Sequence, residues 1–304
     1  MTRILVIGAT GMLGRPVARR LNEDGVRVRV LSRNADRARA LFGDEFEVVA
    51  GDVERPATIA KALESCDGVH VSLKAGPAPA SYDRVEREGT ETVARLAREA
   101  GVKRLTYLSG ASTSKENSWY YATKAKYEAE NAIRESGIEH TIFRASWFME
   151  TLHLFVRGSR VLKFGKQPAV VHWIAAADYA DMVSRSYGLA DARNRTLYVY
   201  GPEKLCLLDA MKLYCSRARP GLRVSTLPIW MARLLAALAR NEELRDVASL
   251  MAYYENITET ADPLETHRLF GVPPTTLAKW CEIQRQGASQ AQPSAPAAPP
   301  VGEA

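Results

Sequence analysis

The chain has 304 residues, 46% of them apolar, enough for one large domain or a core domain with a smaller appendage. Its 41 basic and 35 acidic residues leave a net charge of +6, modest for this length. Nine arginines crowd the first forty positions, but no aromatic-rich basic motif accompanies them, so no nucleic-acid partner is expected.

Cys66, Cys206, Cys215 and Cys281 form no Cys-x-x-Cys pair, and the five histidines show no ligand spacing, so no metal site is expected. Free thiols suit a reducing compartment. No apolar run reaches membrane-spanning length, and the first residues enter a strand without room for a signal peptide. A cytoplasmic protein without a membrane span is expected.

The apolar run Ile4-Leu5-Val6-Ile7 reads as a strand, followed by Gly8-Ala9-Thr10-Gly11-Met12-Leu13-Gly14 and a helix from about residue 12. Gly8 lets the chain turn sharply out of the strand. Gly11 lets the backbone approach a diphosphate, whose charge sits on the free N–H groups and positive end of the helix. Gly14 lets helix and strand pack closely. Thr10, Met12 and Leu13 complete this loop, whose spacing is G-x-x-G-x-x-G.

Strands are expected at 3–8, 27–32, 46–50, 68–73, 104–109 and 139–144. Helices fill the gaps near 12–24, 34–42, 56–65, 83–100 and 119–136. Continuously apolar strands alternating with helices predict an α/β fold: a Rossmann-type doubly wound parallel sheet covered on both faces. Gly25, Gly101 and Gly137 each follow a helix where a left-handed C-cap is wanted.

The second strand ends Val30-Leu31-Ser32-Arg33-Asn34. An acidic side chain here would bind both ribose hydroxyls of NAD and repel a 2′-phosphate. Ser32 and Arg33 stand there instead, and a guanidinium can fork onto the phosphate of NADP, so NADP is expected rather than NAD. Asp52, followed by Val53 after the third strand, can accept from the adenine amino group or cap the helix near Pro56.

After residue 145 the rhythm breaks. A strand at 195–200 lies between helices near 177–189 and 205–217, and mostly helical sequence follows to about 285. Residues 1–150 thus form the dinucleotide-binding core and 151–285 a mostly helical lobe, partly interleaved with it. From Gln286 onward Gly, Ala, Ser, Gln and Pro dominate without apolar periodicity, so 286–304 is expected to be disordered. The apolar helix at 229–239 has few charges; a pocket lid or ordinary core is favoured over contact with a membrane or a partner helix. Asp178 is expected to cap a helix, and His153 and His172 to be packed.

G-A-T-G-M-L-G, Gly51-Asp52-Val53, the run Val102–Ser109 and the run Ser136–Arg144 together resemble the atypical short-chain dehydrogenases, with the NmrA-like family as the nearest group. The resemblance spans about residues 3–285. It implies a Rossmann core, NADP as cofactor and a C-terminal lobe forming the pocket for a small-molecule substrate. Family members include quinone, isoflavone-type and phenylpropanoid reductases, and redox sensors that bind NADPH without turnover. Two positions depart from the pattern: Arg144 is followed by Ala145 rather than Pro, and Glu150 by Thr151 rather than Asn.

In better-known short-chain dehydrogenases a Y-x-x-x-K pair carries the chemistry, and Tyr120 and Lys124 have that spacing. Helix geometry favours a different lysine. Ala122, Ala125, Ala129, Ile133 and Ser136 form the stripe that should face the sheet. Lys126 lies at its margin, whereas Lys124 points about 160° away, onto a polar face shared with Tyr120. Lys126 with Glu130 also matches the K-x-x-x-E of NmrA-like reductases. Lys126 is therefore assigned to the nicotinamide ribose or the substrate oxygen; a plain i,i+4 pair with Glu130 is the alternative. The position one turn earlier is Ala122, leaving Tyr121 or water as proton donor. Ser109, ending the fifth strand, is a further candidate for substrate or nicotinamide. Trp147 and Phe148 fall where the family's pocket loop packs.

The reading is an NADPH-dependent reductase of a small carbonyl, quinone or conjugated substrate. A non-catalytic NADP(H)-binding regulator or assembly partner, and a nucleotide-sugar epimerase using Tyr120 and Lys124, are the alternatives. A homodimer is left open.

Overall fold

The computed structural model describes residues 2–290. Six apolar runs form the expected parallel strands β1 (Arg3–Ile7), β2 (Arg27–Ser32), β3 (Glu47–Ala50), β4 (Gly68–Val71), β5 (Arg104–Gly110) and β6 (His140–Ala145). The helices between them are α1 (Gly14–Glu23), α2 (Ala35–Phe42), α3 (Pro56–Leu63), α4 (Pro79–Ser81), α5 (Gly89–Glu99) and α6 (Tyr121–Glu135). Gly25, Gly101 and Gly137 take positive φ just past α1, α5 and α6, as a left-handed cap requires.

One irregularity interrupts the expected 83–100 helix. Tyr82–Glu88 winds as a π-helix between α4 and α5, and its wider turn carries the buried Glu86 inward.

The chain continues as β7 (Trp147–Phe148), β8 (Val156–Arg157), β9 (Arg160–Phe164), β10 (Val170–Ile174), α7 (Ala176–Ser186), β11 (Arg195–Val199) and β12 (Glu203–Cys206). Then follow α8 (Leu207–Arg217), β13 (Arg223–Leu227), α9 (Ile229–Leu238), α10 (Glu242–Tyr254), α11 (Leu264–Phe270) and α12 (Leu277–Gln290).

The main sheet has seven parallel strands in the order β3-β2-β1-β4-β5-β6-β11. Strand order reverses between β1 and β4, and a crevice opens at the carboxyl ends of strands at such a switch point. One face is sealed by Val17, Ala18 and Leu21 of α1 with Tyr179 and Val183 of α7. The other is sealed by Ile59 and Leu63 of α3, Val93 and Ala97 of α5, and Ala129 and Ile133 of α6. Burying such a Val, Leu or Ile side chain is worth about 1.5–3 kcal/mol.

Two three-stranded sheets, β12-β10-β7 and β13-β9-β8, stand where the sequence suggests only helices and loops. Their strands are two to five residues long; β8 and β9 pair as a local hairpin, but the others pair with distant partners, such as Val170 with Cys206, so no local periodicity announces them. They frame a third core around Trp173, Tyr214 and Trp280. At the far end α12 runs through Gln290, past the expected boundary at Gln286; the rest of that tail lies outside the described residues.

Candidate active site

Gly8 leaves β1 at φ +87°, and a Cβ there would lie 2.0 Å from the Ser72 carbonyl oxygen. A Cβ on Gly14 would lie 2.3 Å from the Gly8 carbonyl oxygen. Only bare backbone fits at both, so β1, the end of β4 and the start of α1 close to contact distance. The Gly11 amide donates to Gly8 O at 2.9 Å, tightening the loop, and Gly11 itself is exposed. Met12 and Leu13 lie at this turn just before the positive end of α1, while the Arg15 amide donates to Gly11 O at 3.1 Å and Pro16 carries no N–H. Beside them the Nε of Arg15 is buried without a hydrogen-bond partner among the described residues. An anionic diphosphate fits this cradle, and Arg15 is a cation that sequence reasoning counted but did not assign.

At the end of β2 the Ser32 hydroxyl is engaged locally, donating to Asn34 O at 2.9 Å and accepting from Asn34 N at 3.2 Å. Asn34 in turn caps α2 through Arg37 N. Arg33 is exposed and makes no ion pair among the described residues. The Asp52 carboxylate accepts from Glu54 N at 3.1 Å, so it shapes its own turn rather than capping α3, whose N-cap is Arg55. Val53 is buried against Gly89.

On α6 the two lysines separate cleanly. Lys124 is exposed and lies 3.8 Å from Glu128. Lys126 turns inward, its ammonium 2.9 Å from the Glu86 carboxylate and 5.8 Å from the centre of the Tyr107 ring. Burial alone would lower this ammonium, but Glu86, with Tyr107 beside it, holds it above the ordinary lysine value.

Tyr120 is not on the polar face. It occupies the N-cap of α6, outside the helix, and stacks on Tyr253 at 4.5 Å, because its ring is too apolar to leave in water. The inward Tyr120–Lys124 pair that an epimerase needs is therefore absent. Tyr121 donates to Asp246 of α10 at 2.5 Å, and Tyr82 donates to the other carboxylate oxygen at 3.0 Å. Burial, with Asp246 accepting its proton, pushes the Tyr121 phenol up to about 12.

Glu130 does not pair with Lys126. It is fully buried and accepts from Ser109 (2.7 Å), from Arg134 (2.8 Å) and from a two-toothed Arg144 fork (2.9 and 2.7 Å). The Ser109 proton is thereby committed to the carboxylate. This network ties α6 to the ends of β5 and β6.

A pocket opens just beyond those strand ends, walled by Ser112, Ala145, Ser146, Trp147, Tyr254 and Glu259 among others. Trp147 meets Tyr254 edge-on at 4.9 Å, whereas Phe148 packs into the main core against Tyr179. Glu259 accepts from the Ser146 hydroxyl and from the His172 amide (2.9 Å), and its carboxylate lies 2.8 Å from His172 Nδ1. Tyr254 stands beside Ser112 in this wall; burial first, then Tyr253, pushes its phenol up to about 12, with Ser112 and the Lys126 charge acting in the opposite direction. Tyr254, Ser112 and Glu86 escaped the sequence reading because they lie 128, 14 and 40 positions from Lys126 and share no motif with it.

Three smaller expectations also change. Asp178 lies inside α7 and accepts from Thr275 N (3.1 Å) and the Thr275 hydroxyl (2.8 Å) instead of capping its helix. The α9 segment, expected as lid or core, fully buries only Ala232 and Ala236 and leaves Trp230, Leu234, Leu235 and Leu238 exposed. His153 is packed as expected, its Nδ1 2.8 Å from Tyr214 OH.

A glycine-rich turn at the switch point of a parallel sheet, leading directly into a helix, defines a dinucleotide-binding Rossmann protein. The model of a family described as NAD(P)H-binding matches residues 8–185, and the chain belongs to that family.

The chain is 26% identical over 286 residues to an NAD(P)H azoreductase of Xenophilus azovorans, covering 92% of this chain and 96% of that one. It is 25% identical over 240 residues to the photosystem II assembly factor Ycf39 of Trieres chinensis, covering 77% and 75%. Among solved structures it resembles the NADPH complex of the quinone oxidoreductase QOR2 of Escherichia coli, with TM-score 0.68, 22% identity and coverage of 92% and 99%.

Proposed function

We propose that the chain is an NADPH-dependent oxidoreductase that reduces a small carbonyl, quinone or conjugated substrate. The observation that carries this reading is the inward Lys126, cationic through Glu86, within electrostatic reach of a tyrosine that walls the pocket. The azoreductase and quinone oxidoreductase among its relatives support the reaction class.

The glycine loop and Arg15 would hold the diphosphate, and Arg33 would fork onto the 2′-phosphate, favouring NADPH over NADH. Bound NADPH would supply the hydride to the acceptor carbon. Lys126 then stabilises the negative charge developing on the acceptor oxygen. Tyr254 is the proton donor in this reading: raised to about 12, its hydroxyl stays protonated at neutral pH, yet it is more acidic than an alcohol product. The Tyr254 proton goes to that oxygen, and Ser112 orients the phenol. Tyr121, engaged by Asp246, anchors α10 and thereby Tyr254.

The test is loss of NADPH absorbance across a panel of quinones and enones. Tyr254→Phe is expected to lower kcat about 10²–10⁴-fold for acceptors that need a proton, with NADPH affinity unchanged. Tight NADPH binding with no oxidation by any acceptor would overturn the reductase reading.

That outcome would favour the second reading, an NADP(H)-dependent regulator or assembly partner. Ala122 stands where the usual tyrosine would precede Lys126, and Ycf39 is among the relatives.

A further inference from the structure

Helix α9 is turned outward. Its small residues Ala232 and Ala236 are fully buried, while Trp230, Leu234, Leu235 and Leu238 are 65%, 50%, 44% and 75% exposed. Trp230, Leu234 and Leu238 recur every fourth residue, so they form one stripe opposite the buried alanines. Leaving three leucines and a tryptophan in water on a ten-residue helix is unusual unless something covers them.

Charge indicates what that is. Residues 216–241 hold five arginines and no acidic residue or lysine. Arg217 pairs with Glu282 at 3.1 Å. Arg223, Arg233 and Arg240 are exposed and make no ion pair among the described residues. Arg233 lies about 60° from Trp230 around the helix, at the flank of the apolar stripe. Arg223 precedes the helix and Arg240 follows it, and the acids Glu242 and Glu243 begin only with the next helix. A tryptophan-and-leucine stripe flanked by unpaired arginines is the composition of a helix lying in a membrane interface, with its apolar side chains below the headgroups and its cations among them.

We propose that α9 docks this protein onto an anionic lipid surface. The helix is too short to span a bilayer, and no helix among the described residues is long and apolar enough to do so. Binding is peripheral and reversible. Each apolar side chain inserted adds burial energy, and each arginine adds attraction to anionic headgroups that salt screens. A like-charged protein partner would be repelled by the same arginines, and a second copy would bring them face to face. The inference is independent of the reductase reading.

The test is co-sedimentation of the full chain with vesicles of phosphatidylglycerol and phosphatidylcholine, against pure phosphatidylcholine. Binding to the anionic vesicles, at least about tenfold weaker on the neutral ones and weakened by salt, is the expected result. The surface double variant Trp230→Ser, Leu238→Ser is expected to lose at least about tenfold in partitioning, with NADPH affinity and Tm unchanged. Arg233→Gln with Arg240→Gln tests the charge separately and should erase the anionic preference. Absent sedimentation, equal binding to neutral vesicles, or full binding by the serine variant would each overturn the proposal. So would a dimer in light scattering that the serine substitutions dissolve, without vesicle binding; that result assigns the stripe to a second copy.

Discussion

The Lys126 ammonium lies 2.9 Å from the Glu86 carboxylate, bridging α6 and the π-helical turn between α4 and α5. Glu86 also accepts from Ala75 N at 3.2 Å, just past the end of β4. One carboxylate thus links the loop after β4 to the helix that carries Lys126. Removing one member of so buried a pair strands the other. Lys126→Met is expected to lower stability by about 3–5 kcal/mol, and Lys126→Met with Glu86→Gln to recover most of that. Turnover should stay lost in both, because no ammonium remains. Urea unfolding of the two variants gives the answer; a cost below about 1 kcal/mol for Lys126→Met would show the pair to be solvated.

The glycines of the loop make separable contributions. Gly14→Ala places a methyl against the Gly8 carbonyl, and a stability loss of about 1–3 kcal/mol is expected. Gly11 has only Gly8 O near its Cβ, at 3.1 Å, and is exposed. Gly11→Asp should therefore fold with near-normal Tm yet bind NADPH about 100-fold more weakly, because it sets an anion where the diphosphate charge belongs. Calorimetric titration of a folded Gly11→Asp that binds normally would remove the diphosphate from this loop.

Arg33 makes no ion pair among the described residues, whereas the Ser32 hydroxyl is engaged by Asn34. Arg33→Glu is expected to weaken NADPH binding about 10–100-fold and to leave NADH equal or tighter, reversing the preference. An unchanged NADPH to NADH ratio would place the 2′-phosphate elsewhere.

His70 supplies a pH dependence unrelated to the site. It is fully buried, its Nδ1 2.8 Å from the Thr106 hydroxyl, which meets Tyr187 OH at 2.9 Å. Burial lowers this imidazole from 6.5 to about 3. With the folded value depressed, the unfolded chain binds the proton first. Stability is then fully present above pH about 6.5 and falls as pH drops toward about 3, by about 1.4 kcal/mol per unit over that window. Urea midpoints at pH 7 and 5 should converge for His70→Gln relative to the parent chain; equal pH slopes in the two proteins would contradict the assignment.

Much of the dinucleotide core can be read along the chain. The run Ile4–Ile7 is apolar without alternation because both faces of β1 are buried, and Gly8 and Gly14 sit where any Cβ would collide with backbone. That Lys126 rather than Lys124 turns inward was likewise legible, because the small stripe through Ala125 and Ala129 fixes which face of α6 meets the sheet. These are local or periodic signals.

The C-terminal lobe gives no such signal. β10 is five residues long and needs Leu205, Cys206 and Trp147 from elsewhere to become a strand. Tyr120 was placed by helical periodicity that it does not share, since the helix begins one residue later and leaves it to the aromatic cluster. The α9 leucines look like core by hydropathy and are solvent-facing only because nothing among the described residues packs above them.

By itself, then, the sequence determined the parallel sheet, its glycine loop and the inward lysine, because strand hydropathy, glycine sterics and helical period act over a few neighbours. Tertiary structure alone decided that Glu86 holds that lysine charged, that Asp246 engages Tyr121, and that Tyr254 reaches the pocket. Those contacts join segments tens of residues apart, and burial and distance in three dimensions, rather than order along the chain, set their energies.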